Sequence, residues 1–299
     1  MTPFLLGLIG IALSLPVPAL LARARWPYRS PAAGIVMWQS LALAAILATS
    51  GAGLATALWL VSEADPPVWR VAAHVAVLLV GVLVWARFWW AVSTVWRRTE
   101  ARRRRQRHLV DLLAEPDADI SARLGPALRV LQHESPVAYC LPDRTESRVV
   151  VSSGAIEHLT AAELRAVLEH ERAHVSARHD LVLEGFEFLR AAYPRVLRTD
   201  APLEQSRIMV ELLADDAARR VAGERALAGA IVALAGSSAP AGALGSGTSA
   251  TIRMDRLRDP SGGWWAAGLA WAISVVVLVV PTVFLAVPWI AHAVDVLLG

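Results

Sequence analysis

Four long apolar runs limit what this chain can fold into. Phe4–Leu21 and Gly34–Val61 carry no charge, and Val71–Trp96 carries only His74 and Arg87. From Trp264 the chain is apolar almost to its end. Each run is long enough for a helix to cross a bilayer, and in hydrocarbon a helix satisfies its own backbone groups. Composition agrees: 56% of the 299 residues are hydrophobic, too many for an ordinary water-soluble domain. All 12 tryptophans lie between Trp26 and Trp96 or between Trp264 and Trp289, and tryptophan favours membrane interfaces. The expected division is a membrane domain of three helices over 1–96, a water-soluble domain over 97–263, and a last transmembrane helix with a short outer tail over 264–299. About thirty-five helical residues would measure roughly 50 Å, too long for one crossing. The last helix should therefore end near Pro288.

The charges between the runs set the orientation. Arg23, Arg25 and Arg29 follow the first run, Glu63 and Asp65 the second, and seven arginines from Arg97 to Arg107 the third. Basic loops stay on the cytoplasmic side, so the N-terminus is expected outside and the middle domain inside, at the inner (plasma) membrane. A signal peptide would carry its positive charge ahead of the first run; here it follows, which favours a retained helix. The arginine run can hold anionic lipid heads. Its place beside a membrane helix argues against nucleic acid as a direct partner. Arg87 is close enough to its helix end to snorkel. The lone Cys140 excludes an internal disulfide and a cysteine metal site.

In the middle domain, Leu109–Leu131 reads as helix with breaks at Pro116 and Gly125-Pro126. Pro136–Leu141 and Arg148–Ser152 read as two strands joined by a turn at Pro142–Thr145. Thr160-Ala161-Ala162-Glu163 is a capping box, and Leu164, Val167 and Leu168 follow at helical spacing. A second helix covers Leu181–Ala192, stopped by Pro194. Asp200-Ala201-Pro202 opens a third, about Leu203–Val221. Ala235–Ala250, rich in Gly, Ser and Ala, reads as a flexible loop.

The capped helix carries His170-Glu171-Arg172-Ala173-His174. Four residues make about one helical turn, so both imidazoles face one way and can grip one ion. Glu171 can reach a water on that ion. This is the pattern of a zinc peptidase, with two histidine ligands and a glutamate as general base. Catalytic zinc wants a third protein ligand. Glu211 is the candidate, with Asp215 one turn on to orient a ligand imidazole; a solvated acidic helix face is the alternative, since Glu204 and Asp216 are nearby. Tyr193, Tyr139, His179 and Arg253 are candidate oxyanion donors. The strand Arg148–Ser152 could pair with an extended substrate.

These motifs resemble the membrane-bound gluzincin peptidases, above all the BlaR/MecR-type family of β-lactam sensor peptidases; the HtpX-type quality-control peptidases are next. The resemblance rests on His170-Glu171-x-x-His174, Glu211-x-x-Ala214-Asp215, Asp180, and Arg253-Met254-Asp255-Arg256-Leu257 before the last helix. It implies a mainly α membrane protein of about four transmembrane helices, with a cytoplasmic α+β gluzincin domain inserted between the third and fourth. It also implies Zn²⁺ on His170, His174 and Glu211. The expected activity is endopeptidase cleavage of a cytoplasmic or membrane protein, either a transcriptional repressor or the chain itself. The penicillin-binding domain of those sensors does not follow the last run, so β-lactam sensing is not expected. The alternatives are a quality-control peptidase and a non-catalytic scaffold that keeps zinc for structure.

Overall fold

The computed structural model describes residues 2–62, 65–115, 128–141, 148–235, 247–259 and 263–283, with isolated positions at 287, 290–291 and 294. Contacts divide the chain into two units. One holds 1–96, 184–206 and 263–299; the other holds 97–183 and 207–262. Residues 184–206, inside the expected middle stretch, thus pack with the apolar helices.

In the first unit, α1 (Thr2–Ser14) and α2 (Pro16–Leu21) divide the first apolar run. Leu15 lies between them at φ −130°, because a residue before proline is pushed out of the helical region. A 3₁₀ turn at Trp26–Arg29 leads into α3 (Pro31–Ser62), and α4 begins at Val68. α4 continues without interruption through the arginine run to Leu113, 46 residues in all. The last described helix, α11, covers Trp264–Pro281. Among the described residues, four stretches are long and apolar enough to cross a membrane: Pro3–Leu21, Pro31–Leu60, Val68–Val110 and Trp264–Pro281. α3 is packed by both α1 and α11. The α1–α3 seam is made by small residues: a side chain at Gly10 would strike Thr49 and the Ala45 carbonyl. Close approach through small residues is how helices associate in lipid.

The second unit combines a small sheet with helices. Its strands are β1 (Ala114–Glu115), β2 (Leu128–Leu131), β3 (Ala138–Leu141) and β4 (Arg148–Ser152), in the order β1-β2-β4-β3. β2 and β4 are parallel; the other pairings are antiparallel. Leu128–Leu131 was expected to be helical and is a strand. Its residues alternate buried and half-buried, a period of two that a short apolar run does not reveal from sequence. β4 passes into α5 (Ser153–His158), and α6 (Ala161–Ser176) follows. α7 (His179–Ala192) and α8 (Ala201–Ala222) each run across the boundary between the units. α9 (Glu224–Ala235) packs on α6, and α10 (Gly247–Arg258) packs on α9. Val149, Val151, Val167, Leu168, Leu227 and Leu257 bind sheet and helices into one core. The expected breaks at Pro116 and Gly125-Pro126, the turn Pro142–Thr145 and the tail beyond Pro288 lie outside the described residues. So does most of the Gly/Ser/Ala stretch, whose last residues, 247–250, open α10.

Candidate metal centre

The site is built on α6. Thr160 Oγ1 accepts from the Glu163 N–H at 3.3 Å, and Glu163 Oε2 accepts from the Thr160 N–H at 2.8 Å. This capping box fixes the start of α6 and hence the phase of every side chain after it. Ala166, Val167 and Leu168 are buried, and the same helix buries His170 and Glu171. His170 Nε2 and His174 Nε2, one turn apart, are 3.2 Å from each other.

Glu211 enters from α8. Its Oε2 is 3.3 Å from His170 Nε2 and its Oε1 is 3.5 Å from His174 Nε2. A tetrahedral ion with bonds of about 2.0–2.1 Å sets its ligand atoms roughly 3.3–3.4 Å apart. The two imidazole nitrogens stand near that edge length, each with a different Glu211 oxygen at a similar distance, and His170, His174 and Glu211 can hold one metal ion. Burial fits as well. Glu211 Oε2 is buried and makes no hydrogen bond of good geometry, an arrangement that calls for an ion or a further donor.

Each imidazole is gripped from behind. His170 Nδ1 is 2.9 Å from Asp215 Oδ1. Arg253 on α10 donates to both oxygens of that carboxylate, Nε to Oδ2 at 2.7 Å and Nη2 to Oδ1 at 2.6 Å. His174 Nδ1 is 3.0 Å from His179 Nδ1. Arg178, between the two helices, has φ +51°, a left-handed conformation that redirects the chain at His179. With a carboxylate beside one Nδ1 and an imidazole beside the other, both Nε2 atoms face the site.

The charges around the site are strongly coupled. Burial disfavours a charged His170, but Asp215 and Glu211 outweigh it and raise its value to about 9. Burial lowers His174 to about 3. Burial works against the Glu211 and Asp215 carboxylates, yet His170 and Arg253 hold both below the usual range, Asp215 at about 2. Burial raises Glu171 to about 7. Cys140 on β3 donates to the Glu171 carboxylate from its backbone N–H and its thiol, while Glu171 Oε1 is buried with no partner among the described residues.

The four candidate oxyanion donors lie in different places. Arg253 is committed to Asp215, with Nη1 left 3.8 Å from Glu211. His179 stands behind His174. Tyr139 is on β3, half-buried. Tyr193 belongs to the other unit, where its hydroxyl is paired with Thr49 Oγ1 at 2.8 Å. Asp180 forms an ion pair with Arg103 at 3.1 Å. Sequence reasoning did not find the contact between Cys140 and Glu171, nor the backing roles of Arg253 and His179. Those depend on pairing across β3, α6 and α10, which no local spacing encodes. The strand Arg148–Ser152 was expected to take a substrate chain. As β4 it is flanked by β2 and β3, so its ladder is already filled; of the two edge strands among the described residues, β1 and β3, it is β3 that packs against α6.

Residues 97–193 match the model of peptidase family M48. The chain is similar to the protease HtpX of Legionella pneumophila, strain Corby, and to that of strain Lens. Identity is 26% over 109 residues in each case. That segment is 36% of this chain and spans 39% of the length of each relative. No solved structure matches significantly.

Proposed function

We propose that this chain is a membrane-embedded zinc endopeptidase whose metal is held by His170, His174 and Glu211. The convergence of those three residues, with their ligand atoms within 4.8 Å of one another, beside an unpartnered carboxylate oxygen of Glu171, carries the reading. Zinc bound there would acidify a water and polarise a peptide carbonyl. Glu171 Oε1 takes the proton of the attacking water and returns it to the leaving amine; a value near 7 in the metal-free chain suits a group that must do both. Asp215 and His179 hold the imidazoles in phase, and Arg253 keeps Asp215 ionised. The edge strand β3, beside α6, takes the substrate backbone as an added strand.

The substrate is a cytoplasmic or membrane protein, met on the inner face of the plasma membrane, with the N-terminus outside. A repressor or the chain itself fits a signalling role. The match to proteins named protease HtpX supports a second reading, removal of damaged membrane proteins. Glu171→Gln tests the peptidase. Zinc content should be unchanged while cleavage falls at least about a hundredfold, and comparing protein N-termini in cells carrying parent or variant should reveal the substrates. Unaltered cleavage with zinc still bound would remove Glu171 as the base.

A further inference from the structure

The first unit contains a cleft unrelated to the metal centre. It opens to solvent. Leu13, Ala42, Phe186 and Leu189 supply apolar wall, while Arg190 and Arg198 supply charge. Arg190 is neutralised by Asp200, Nε to Oδ1 at 2.5 Å and Nη2 to Oδ2 at 3.2 Å.

Arg198 is not neutralised in this way. Its Nη1 donates to the carbonyls of Arg190 and Tyr193 at 3.1 and 3.4 Å, which fixes the guanidinium on the cleft wall without giving it an anion. Burial lowers its value, and Arg190, Arg87 and Arg195 lower it further, against Asp200. Arg87 and Arg195 are therefore its electrostatic neighbours. Among the described residues, none of Arg87, Arg195 and Arg198 forms an ion pair, and Arg87 Nε is buried without a hydrogen-bond partner. Arg198, fixed on the cleft wall by two carbonyls, and Arg87, with Nε buried and unpartnered, call for an anion from elsewhere.

The surroundings indicate which anion. Arg87 lies within an apolar helix, flanked by Trp85, Trp89 and Trp90, all exposed. Exposed indoles mark headgroup depth. Val196, between Arg195 and Arg198, is 80% exposed, an apolar side chain suited to lipid rather than water. Basic pockets of this kind on the cytoplasmic side hold phosphate headgroups.

We propose that this cleft holds one anionic phospholipid, its phosphate against Arg87, Arg195 and Arg198 and its first acyl carbons against Leu13, Ala42 and Phe186. The ligand chemistry is a phosphate anion carried on an apolar chain. The proposal depends on the chain being embedded in a membrane but not on its being a peptidase; a hydrolytically inert protein would still hold the lipid.

The test uses the full chain in phosphatidylcholine nanodiscs, with and without phosphatidylglycerol, read by native mass spectrometry and thermal unfolding. The parent should retain one phosphatidylglycerol and unfold several degrees higher in its presence. The double variant Arg87→Gln/Arg198→Gln should lose about tenfold or more in retention and lose the thermal shift. Arg225→Gln, at an exposed cation of α9, should match the parent. Equal retention of phosphatidylcholine, or undiminished retention by the double variant, would overturn the proposal. Inorganic phosphate reproducing the whole shift would replace the lipid by a free anion and overturn it too. Should the double variant misfold, a diazirine-bearing phosphatidylglycerol decides the matter on the parent. Label on peptides holding Leu13, Ala42 or Phe186 supports the site, and label confined elsewhere sinks it.

Discussion

His170 leans on a carboxylate and His174 on another imidazole, and the two supports differ in kind. Asp215, clamped by Arg253, offers a negative charge that makes His170 the more basic ligand. His179 offers only orientation. Partners of this type are worth roughly 10–100-fold in metal affinity. Asp215→Ala is expected to cost the full range, because it also strands the buried Arg253 cation. His179→Ala should sit at its lower end. Competition titrations of purified variants against a zinc chelator measure both, and equal losses would contradict this ranking. Much of the site was legible because His170, Glu171 and His174 lie within one turn and Glu211 and Asp215 within another. The backing residues were not. His179 looked off-axis at five residues past His174, and the left-handed Arg178 redirects the chain there.

At the level of elements, the helices were legible and the sheet was half hidden. The capping box at Thr160 and Glu163 and the proline at 194 announce where helices start and stop through groups that are local in sequence; the break before Pro16 was missed, because Phe4–Leu21 reads as one apolar run. β2 was misread because four residues, Leu-Arg-Val-Leu, suit a helix and a strand alike until β4 lies beside them. Removing the cap hydroxyl with Thr160→Ala should cost about 1 kcal/mol in unfolding free energy, read by denaturant titration. The crossing from β4 into α5 is tighter. A side chain at Gly154 would meet the Glu134 carbonyl, while the Gly154 N–H holds the His133 carbonyl at 2.9 Å. Gly154→Ala should therefore cost roughly 1–3 kcal/mol by the same measurement, although alanine is ordinarily the better helix former. A neutral result would mean that the segment around Glu134 yields freely.

At the scale of the whole chain, the apolar runs and the charges between them foretold four candidate crossings. They did not foretell that α4 would continue as one helix through its arginines, since helix and loop tolerate arginine equally. A reporter enzyme active only outside the cytoplasm should be active when fused after Leu60 and silent when fused after Arg107, and the reverse pair would invert the orientation. The division into two units has an optical consequence. Every indole of the chain belongs to the unit of apolar helices, and the stretch from Arg97 to Gly263 has none. Ultraviolet emission from tryptophan thus watches one unit and is blind to the other. A calorimetric transition that leaves the emission spectrum unmoved would be the metal-holding unit melting by itself.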